Sequence, residues 1–289
     1  MLYRNLIIIL SAFVNILSIQ GCTANEKEMN SPPKEYDLNN PSVLYLNETM
    51  AEISGIYFYQ KDSSLFAVSN ESGYLFKIHL NKDFITQRWK FDKTHDFEDV
   101  LYWNNNFYIL ESNGNIHTLQ FSWRGDTITT QTSLFPENGK GKNEFESLYY
   151  DSARKSFVMI CKDCNSDKKN TVSAWAYDPE SNSFKASVFT INVDLIAAET
   201  GDKKLKFKPS AATINPLTGD LWILSAVNML LVVADQNGNC KAAFQLNRGI
   251  FTQPEGITFT PSGDLIISNE AGSKYNSASI LIFKRKNIS

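Results

Sequence analysis

Short apolar runs, each closed by a cluster of Asn, Asp, Ser, Gly or Pro, recur along the chain from Val43 to Phe283. Five of them open on a polar or acidic residue: Glu52-Ile53-Ser54-Gly55-Ile56, Phe97-Glu98-Asp99-Val100, Phe145-Glu146-Ser147-Leu148, Pro209-Ser210-Ala211-Ala212 and Pro254-Glu255-Gly256-Ile257. With Ser54, Glu98, Glu146, Ser210 and Glu255 taken as equivalent, the spacings are 44, 48, 64 and 45. Each unit then repeats one grammar. A turn such as Asn104-Asn105-Asn106 or Thr260-Pro261-Ser262-Gly263-Asp264 follows, then a second apolar strand such as Phe107-Tyr108-Ile109-Leu110 or Leu265-Ile266-Ile267, then another turn and a third strand. The turn residues supply the backbone angles that sharp reversals need. No sustained helical period appears outside the extreme N-terminus.

A repeat of roughly 40–50 residues with four short strands per unit predicts a β-propeller. The runs are apolar on both faces, as expected where sheets stack face to face. Five units predict five four-stranded antiparallel blades, with six blades as the alternative. The long 64-residue interval is assigned to an insertion over Asp194–Lys208. The last unit has only three strands, so Val43-Leu44-Tyr45-Leu46 is expected to supply the fourth and close the ring, removing an exposed edge.

The N-terminus changes the picture of where such a domain works. Arg4 precedes an apolar run over Leu6–Ile19, of signal-peptide length and short for a membrane span. It ends in Ile19-Gln20-Gly21-Cys22, which resembles a bacterial lipoprotein processing site, although Gln20 is unusual there and ordinary signal cleavage is an alternative. The expected organisation is a signal peptide over 1–21, a lipidated Cys22 with a tether over 22–40, and the propeller over 41–289. That implies a monomer held at the membrane of a bacterial cell envelope, periplasmic or surface-exposed. A hydrophobic content of 43% and a charged content of 20% describe a packed domain, and a net charge of −3 with no basic cluster excludes a nucleic-acid partner. Cys161-Lys162-Asp163-Cys164 lacks the βαβ context of a redox motif and the further ligands of a zinc site, leaving a local disulfide or two free thiols.

Propeller geometry gives the acidic positions a common address. The start of each first strand and the end of each second strand emerge on one face, which gathers Ser54, Glu98, Glu146, Ser210 and Glu255 with Asn70, Glu111, Lys162, Ser225 and Asn269. Asp99, Glu71 and Glu270 lie one residue on. Two carboxylates about 6 Å apart repel by about 3 kcal/mol at an effective dielectric of 20, so the ring needs relief. A cation, a shared proton or an internal counter-ion such as Lys162 would supply it. A hard, oxygen-rich site suits Ca²⁺, with Glu98, Glu146, Glu255, Glu111 and Glu270 as candidate ligands and the remaining positions lining the mouth. Glutamates at these strand heads could instead accept backbone hydrogen bonds from the neighbouring blade, or act as acids and bases. His95 is a candidate ligand or proton shuttle; His79 and His117 fall in third strands.

These motifs, in this order, resemble the SdiA-regulated family of exported β-propellers (the YjiK type), from about Glu52 to about Phe283. The resemblance implies a membrane-associated propeller with a calcium connection and no firmly established reaction. Asp99 and Ser147 depart from it, since members place Gly after the Glu. The lack of a Lys/Arg collar weakens a phytase-like reading. Two functions are therefore carried forward. One is a binding module holding Ca²⁺ and a small-molecule or envelope-protein partner. The other is a metal-assisted hydrolase of a phosphoester, ester or lactone with Glu98 or Glu111 as base. No nucleophilic Ser or Cys motif with a matching base is present.

Overall fold

A computed structural model describes residues 33–70, 72–80, 86–122, 125, 127–272 and 277–286. The expected signal peptide, Cys22 and Glu71 lie outside the described residues. The first strand is β1 (Ser42–Tyr45), and one blade follows as β2 (Ile53–Tyr59), β3 (Ser64–Ser69), β4 (Tyr74–His79) and β5 (Thr86–Lys90). The second comprises β6 (Phe97–Trp103), β7 (Asn106–Glu111), β8 (Ile116–Phe121) and β9 (Ile128–Ser133). The third comprises β10 (Asn143–Asp151), β11 (Ser156–Cys164), β12 (Thr171–Asp178) and β13 (Ser183–Asn192), and is followed by the helix α1 (Val193–Thr200). The fourth comprises β14 (Ala211–Ile214), β15 (Leu221–Ser225), β16 (Leu230–Ala234) and β17 (Cys240–Gln245). The fifth comprises β18 (Pro254–Phe259), β19 (Leu265–Asn269) and β20 (Ser279–Phe283).

The result is a five-bladed propeller of four-stranded antiparallel sheets. Its last sheet has the order β1-β20-β19-β18, so the two ends of the domain pair as expected, Ser42 opposite Ile282 and Tyr45 opposite Ser279. Second strands are buried over most of their length and third strands over at least half, and the core lies between blades: Phe66, Phe97, Val100 and Ile109 fill one gap, while Tyr149, Ile160, Leu221 and Ile223 fill another. Six blades are excluded, because the long interval holds a loop and one helix of two turns. Asn192 caps α1 by accepting from the Asp194 N–H, and Gly201 ends it in the left-handed conformation. Eight residues are too few to show a helical period in the sequence.

The tether boundary needs correcting. Residues from Pro33 onward belong to the packed domain: Tyr36 and Leu38 are buried among Trp222, Phe259 and Phe283. Tyr36 Oη donates to the Gly263 carbonyl at 2.6 Å. Cys161 and Cys164 form a disulfide, one of the two states expected.

Candidate functional site

Four of the five inner strands begin with an irregularity in their pairing, the regular β14 being the exception, and that irregularity positions the site. Phe97 faces Glu111 and Asp99 faces Leu110, leaving Glu98 as the extra residue of a β-bulge. Glu146 is the extra residue between the pairs Phe145–Cys161 and Ser147–Ile160, and Glu255 between Pro254–Asn269 and Gly256–Ser268. In the first blade Ser54 and Gly55 lie between the pairs Ile53–Ser69 and Ile56–Ala67. A bulge re-aims one side chain out of the alternating pattern. Repeated around the ring, it turns Ser54, Glu98, Glu146 and Glu255 into one cavity on the axis. The sequence equivalence therefore has a structural basis.

That cavity, about 220 Å³, is lined by Ser54, Asn70, Asp96, Glu98, Glu144, Glu146, Lys162, Gln253, Glu255 and Glu270. Six carboxyl groups face one ammonium. Lys162 contacts the Glu146 carboxylate directly and Glu144 Oε1 at 3.0 Å. Burial alone would lower the Lys162 ammonium, but Glu146 and then Glu144 hold it well above its usual range. Glu146 is pushed up to about 7 by burial, against the pull of Lys162. Glu255 is raised to about 8 by burial and then by Glu146. Glu270 is raised to about 9 by burial, a shared hydrogen bond with Glu52 and the charge of Glu255. Glu98 is raised furthest, to about 10, by burial and by the charges of Glu146 and Asp96. It makes no hydrogen bond among the described residues, whereas Glu270 accepts one from Gln253. The Asn70 Oδ1 is also buried without a partner at this cavity.

Several expected members stand elsewhere. Glu111 is held away from the axis in a separate cluster: His117 Nε2 lies 3.2 Å from one carboxylate oxygen and His95 Nδ1 3.4 Å from the other, and Asn113 and Asn115 donate to it. Burial raises its acid, but the His117 and Asn115 hydrogen bonds outweigh that and leave it low. Glu111 ends a second strand opposite Phe97, a regularly paired position, so nothing aims it inward. Ser210 is used structurally, donating to the Pro254 carbonyl of the next blade at 2.7 Å. Ser225 bonds Asn228, and the Asn269 amide bonds the Ile250 carbonyl. Asp99 lies deeper and is wholly buried, accepting from Val100 N–H at 2.8 Å and from Leu148 N–H of the next blade at 2.6 Å. Burial nonetheless leaves its acid well above the carboxylate range. The structural alternative, a carboxylate that staples neighbouring blades, is thus true of Asp99 rather than of the bulge glutamates.

Glu144 and Gln253 lie outside the candidate set read from the sequence, yet both line the cavity, as does Asp96 of the acidic run before Val100. Each lies two residues before a bulge glutamate, on the same side of an extended segment. A period-two pattern of polar residues at the strand heads (Asp96/Glu98, Glu144/Glu146, Gln253/Glu255) was the available signal.

For a metal the fit is partial. Among the described residues no three His, Cys, Asp or Glu side chains are gathered closely enough to ligate one ion. The cavity offers instead a mixed set, the Glu98 and Glu255 carboxylates with the Ser54 hydroxyl and Asn70 amide oxygen, all hard donors of the kind Ca²⁺ accepts.

The SdiA-regulated family model matches residues 34–276. The chain belongs to the SdiA-regulated family. Solved structures share the fold at low identity. The calcium-binding protein regucalcin from Agrobacterium tumefaciens superposes with a TM-score of 0.54 at 11% identity, covering 85% of this chain and 96% of that one. Glutaminyl cyclase from Myxococcus xanthus gives 0.54 at 14% identity, covering 85% and 97%. A luciferin-regenerating enzyme gives 0.52 at 11% identity, covering 86% and 98%. These likenesses show a common architecture and nothing finer. No curated protein matches the sequence.

Proposed function

We propose that this member of the SdiA-regulated family is an envelope-anchored binding module, held by lipid on Cys22, whose acidic cavity takes up a divalent cation, with Ca²⁺ the best suited. The observation that carries this reading is Glu98. It is a partly buried carboxyl group with no hydrogen bond among the described residues, facing Glu146 and Glu255. Such a group carries an electrostatic deficit that protonation relieves in part and a cation relieves better. Glu98 and Glu255 would be the charged ligands, with Ser54 and Asn70 supplying neutral oxygens. Binding at neutral pH would then displace protons from Glu98 and Glu255.

Calorimetry with Ca²⁺ at pH 7.5, in two buffers of different ionisation enthalpy, tests this. The wild type should give a binding heat that differs between buffers because protons are released. Glu98→Gln should lose most of it while keeping its fold by circular dichroism. Equal heats from the two proteins would end the proposal. A hydrolase reading has one observation in its favour, a neutral Glu98 beside a Glu146 held by Lys162, which is an acid next to a base. Chelator-sensitive turnover in an ester, lactone and phosphoester screen, abolished by Glu98→Gln, would favour it. Glu111 has no part in either reading.

A further inference from the structure

The two faces of the propeller differ in where the chain enters. Inner strands run from the acidic cavity to the opposite face, where the turns Gln60–Ser63, Asn104–Asn105, Ser152–Lys155, Asn215–Asp220 and Thr260–Asp264 lie. The first described residues sit on that turn face. Tyr36 is fixed to the Gly263 carbonyl, its ring packs edge-on against Trp222 at 5.6 Å, and the Lys286 N–H donates to the Glu35 carbonyl at 2.8 Å. From there β1 climbs toward the acidic side. The entry point is therefore locked by burial and hydrogen bonds on both sides.

We propose that the turn face bearing Pro33 is the face turned to the lipid surface, so that the acidic cavity opens away from the membrane into water. This rests on the anchoring reading above. Only residues 23–32 separate the lipid-bearing position from Pro33, which sets a reach of about 40 Å at full stretch. The inner strands span roughly 20–30 Å between faces. Placing the acidic side against the bilayer would take about half to three-quarters of that reach merely to run along the flank. With the turn face toward the lipid, no extension is needed. The chemistry agrees. The channel mouth on the turn face is lined largely by apolar side chains such as Tyr57, Leu101 and Ile214, and loses little by being covered. The acidic mouth must meet bulk water to exchange a cation.

Full-length lipidated protein in phosphatidylethanolamine/phosphatidylglycerol vesicles carrying a headgroup quencher tests the orientation. In a Cys240→Ser background, a fluorophore on Leu217→Cys reports the turn face, and fluorophores on Leu134→Cys and Val227→Cys report the acidic face; all three side chains are exposed. The turn-face probe should be quenched at least twofold more than both others. Equal quenching, or stronger quenching of either acidic-face probe, with the protein still cofloating with vesicles, would overturn the orientation and leave anchoring intact. Failure of the wild type to cofloat, or no difference between it and Cys22→Ser, would overturn anchoring and the orientation with it.

Discussion

The two mouths of the central channel share a ring of inner strands, five blades lining the apolar one and four the acidic one, and have almost no chemistry in common. At the strand heads, bulges put glutamates on the axis, and the cavity of about 220 Å³ is lined by polar and charged groups alone. A few residues further along, pairing becomes regular and the cavity of about 480 Å³ is lined largely by Ile56, Tyr57, Val100, Leu101, Leu148, Ile214 and Phe259. One inserted residue per strand is enough to change the lining from charged to apolar, because side chains alternate faces with a period of two and a bulge shifts that phase. Polarity on the axis is therefore a matter of register more than of composition.

Between the mouths Gly55 packs closely against Asp99 of the next blade. A Cβ on Gly55 would meet Asp99 Oδ1 at 2.1 Å and Asp99 Cα at 2.4 Å, the second a backbone atom that cannot swing aside. Gly55→Ala should thus force apart the inner strands of the first two blades and disturb both mouths at once. The expected loss is about 3 kcal/mol, at the upper end for overpacking, read as a lower denaturation midpoint in urea. A midpoint equal to wild type would mean that the approach of Gly55 to Asp99 relaxes at no cost to the fold.

Much of this architecture is legible in the sequence. The repeat of strand heads fixes the blade count and the closing strand, because each blade must bury both faces and so writes the same apolar runs again. The convergence of Glu98, Glu146, Glu255 and Glu270 follows from that repeat. The misplacement of Glu111, Ser210, Ser225 and Asn269 has one cause. Chain position says which end of a strand a residue occupies, but the direction of its side chain depends on whether pairing is regular or bulged there, and partners such as His117 for Glu111 come from a third strand. The packing of Tyr36 and Leu38 was hidden for a different reason: two apolar residues in a polar stretch carry no period.

Charge is the next distinction between the mouths, and Lys162 is the residue that tempers it. Glu146, Glu255, Glu270 and Glu98 have acids raised to about 7, 8, 9 and 10 in the folded protein, against a reference of 4.5. The folded state therefore holds more protons than the unfolded state above that reference, and stability falls as pH rises from about 5 toward 8. Lys162→Met removes the cation that stabilises ionised Glu146. The variant should lose about 2 kcal/mol at pH 8, a partly exposed pair being discounted from the fully buried case, and less at pH 5, where Glu146 is protonated in both proteins and only the pair with Glu144 is lost. Urea midpoints at the two pH values measure this. A loss of the same size at both would show that Lys162 acts through Glu144 or packing and not through ionised Glu146.

The smallest expected effect isolates the other mouth. Ile214 lines the apolar cavity, is half-buried and packs against the core between the third and fourth blades. Ile214→Ala removes apolar contact without touching a titrating group, so it should cost about 1 kcal/mol, less than a fully buried Ile. Because no proton is gained or lost, the cost should be the same at pH 5 and pH 8, and the fall of stability with pH should keep its wild-type slope. The two variants then separate the mouths by what each depends on, proton occupancy for Lys162→Met and buried area for Ile214→Ala. A steeper or shallower slope in Ile214→Ala would mean that the apolar half of the channel senses the charge above it, and that Asp99, wholly buried between them, transmits rather than insulates.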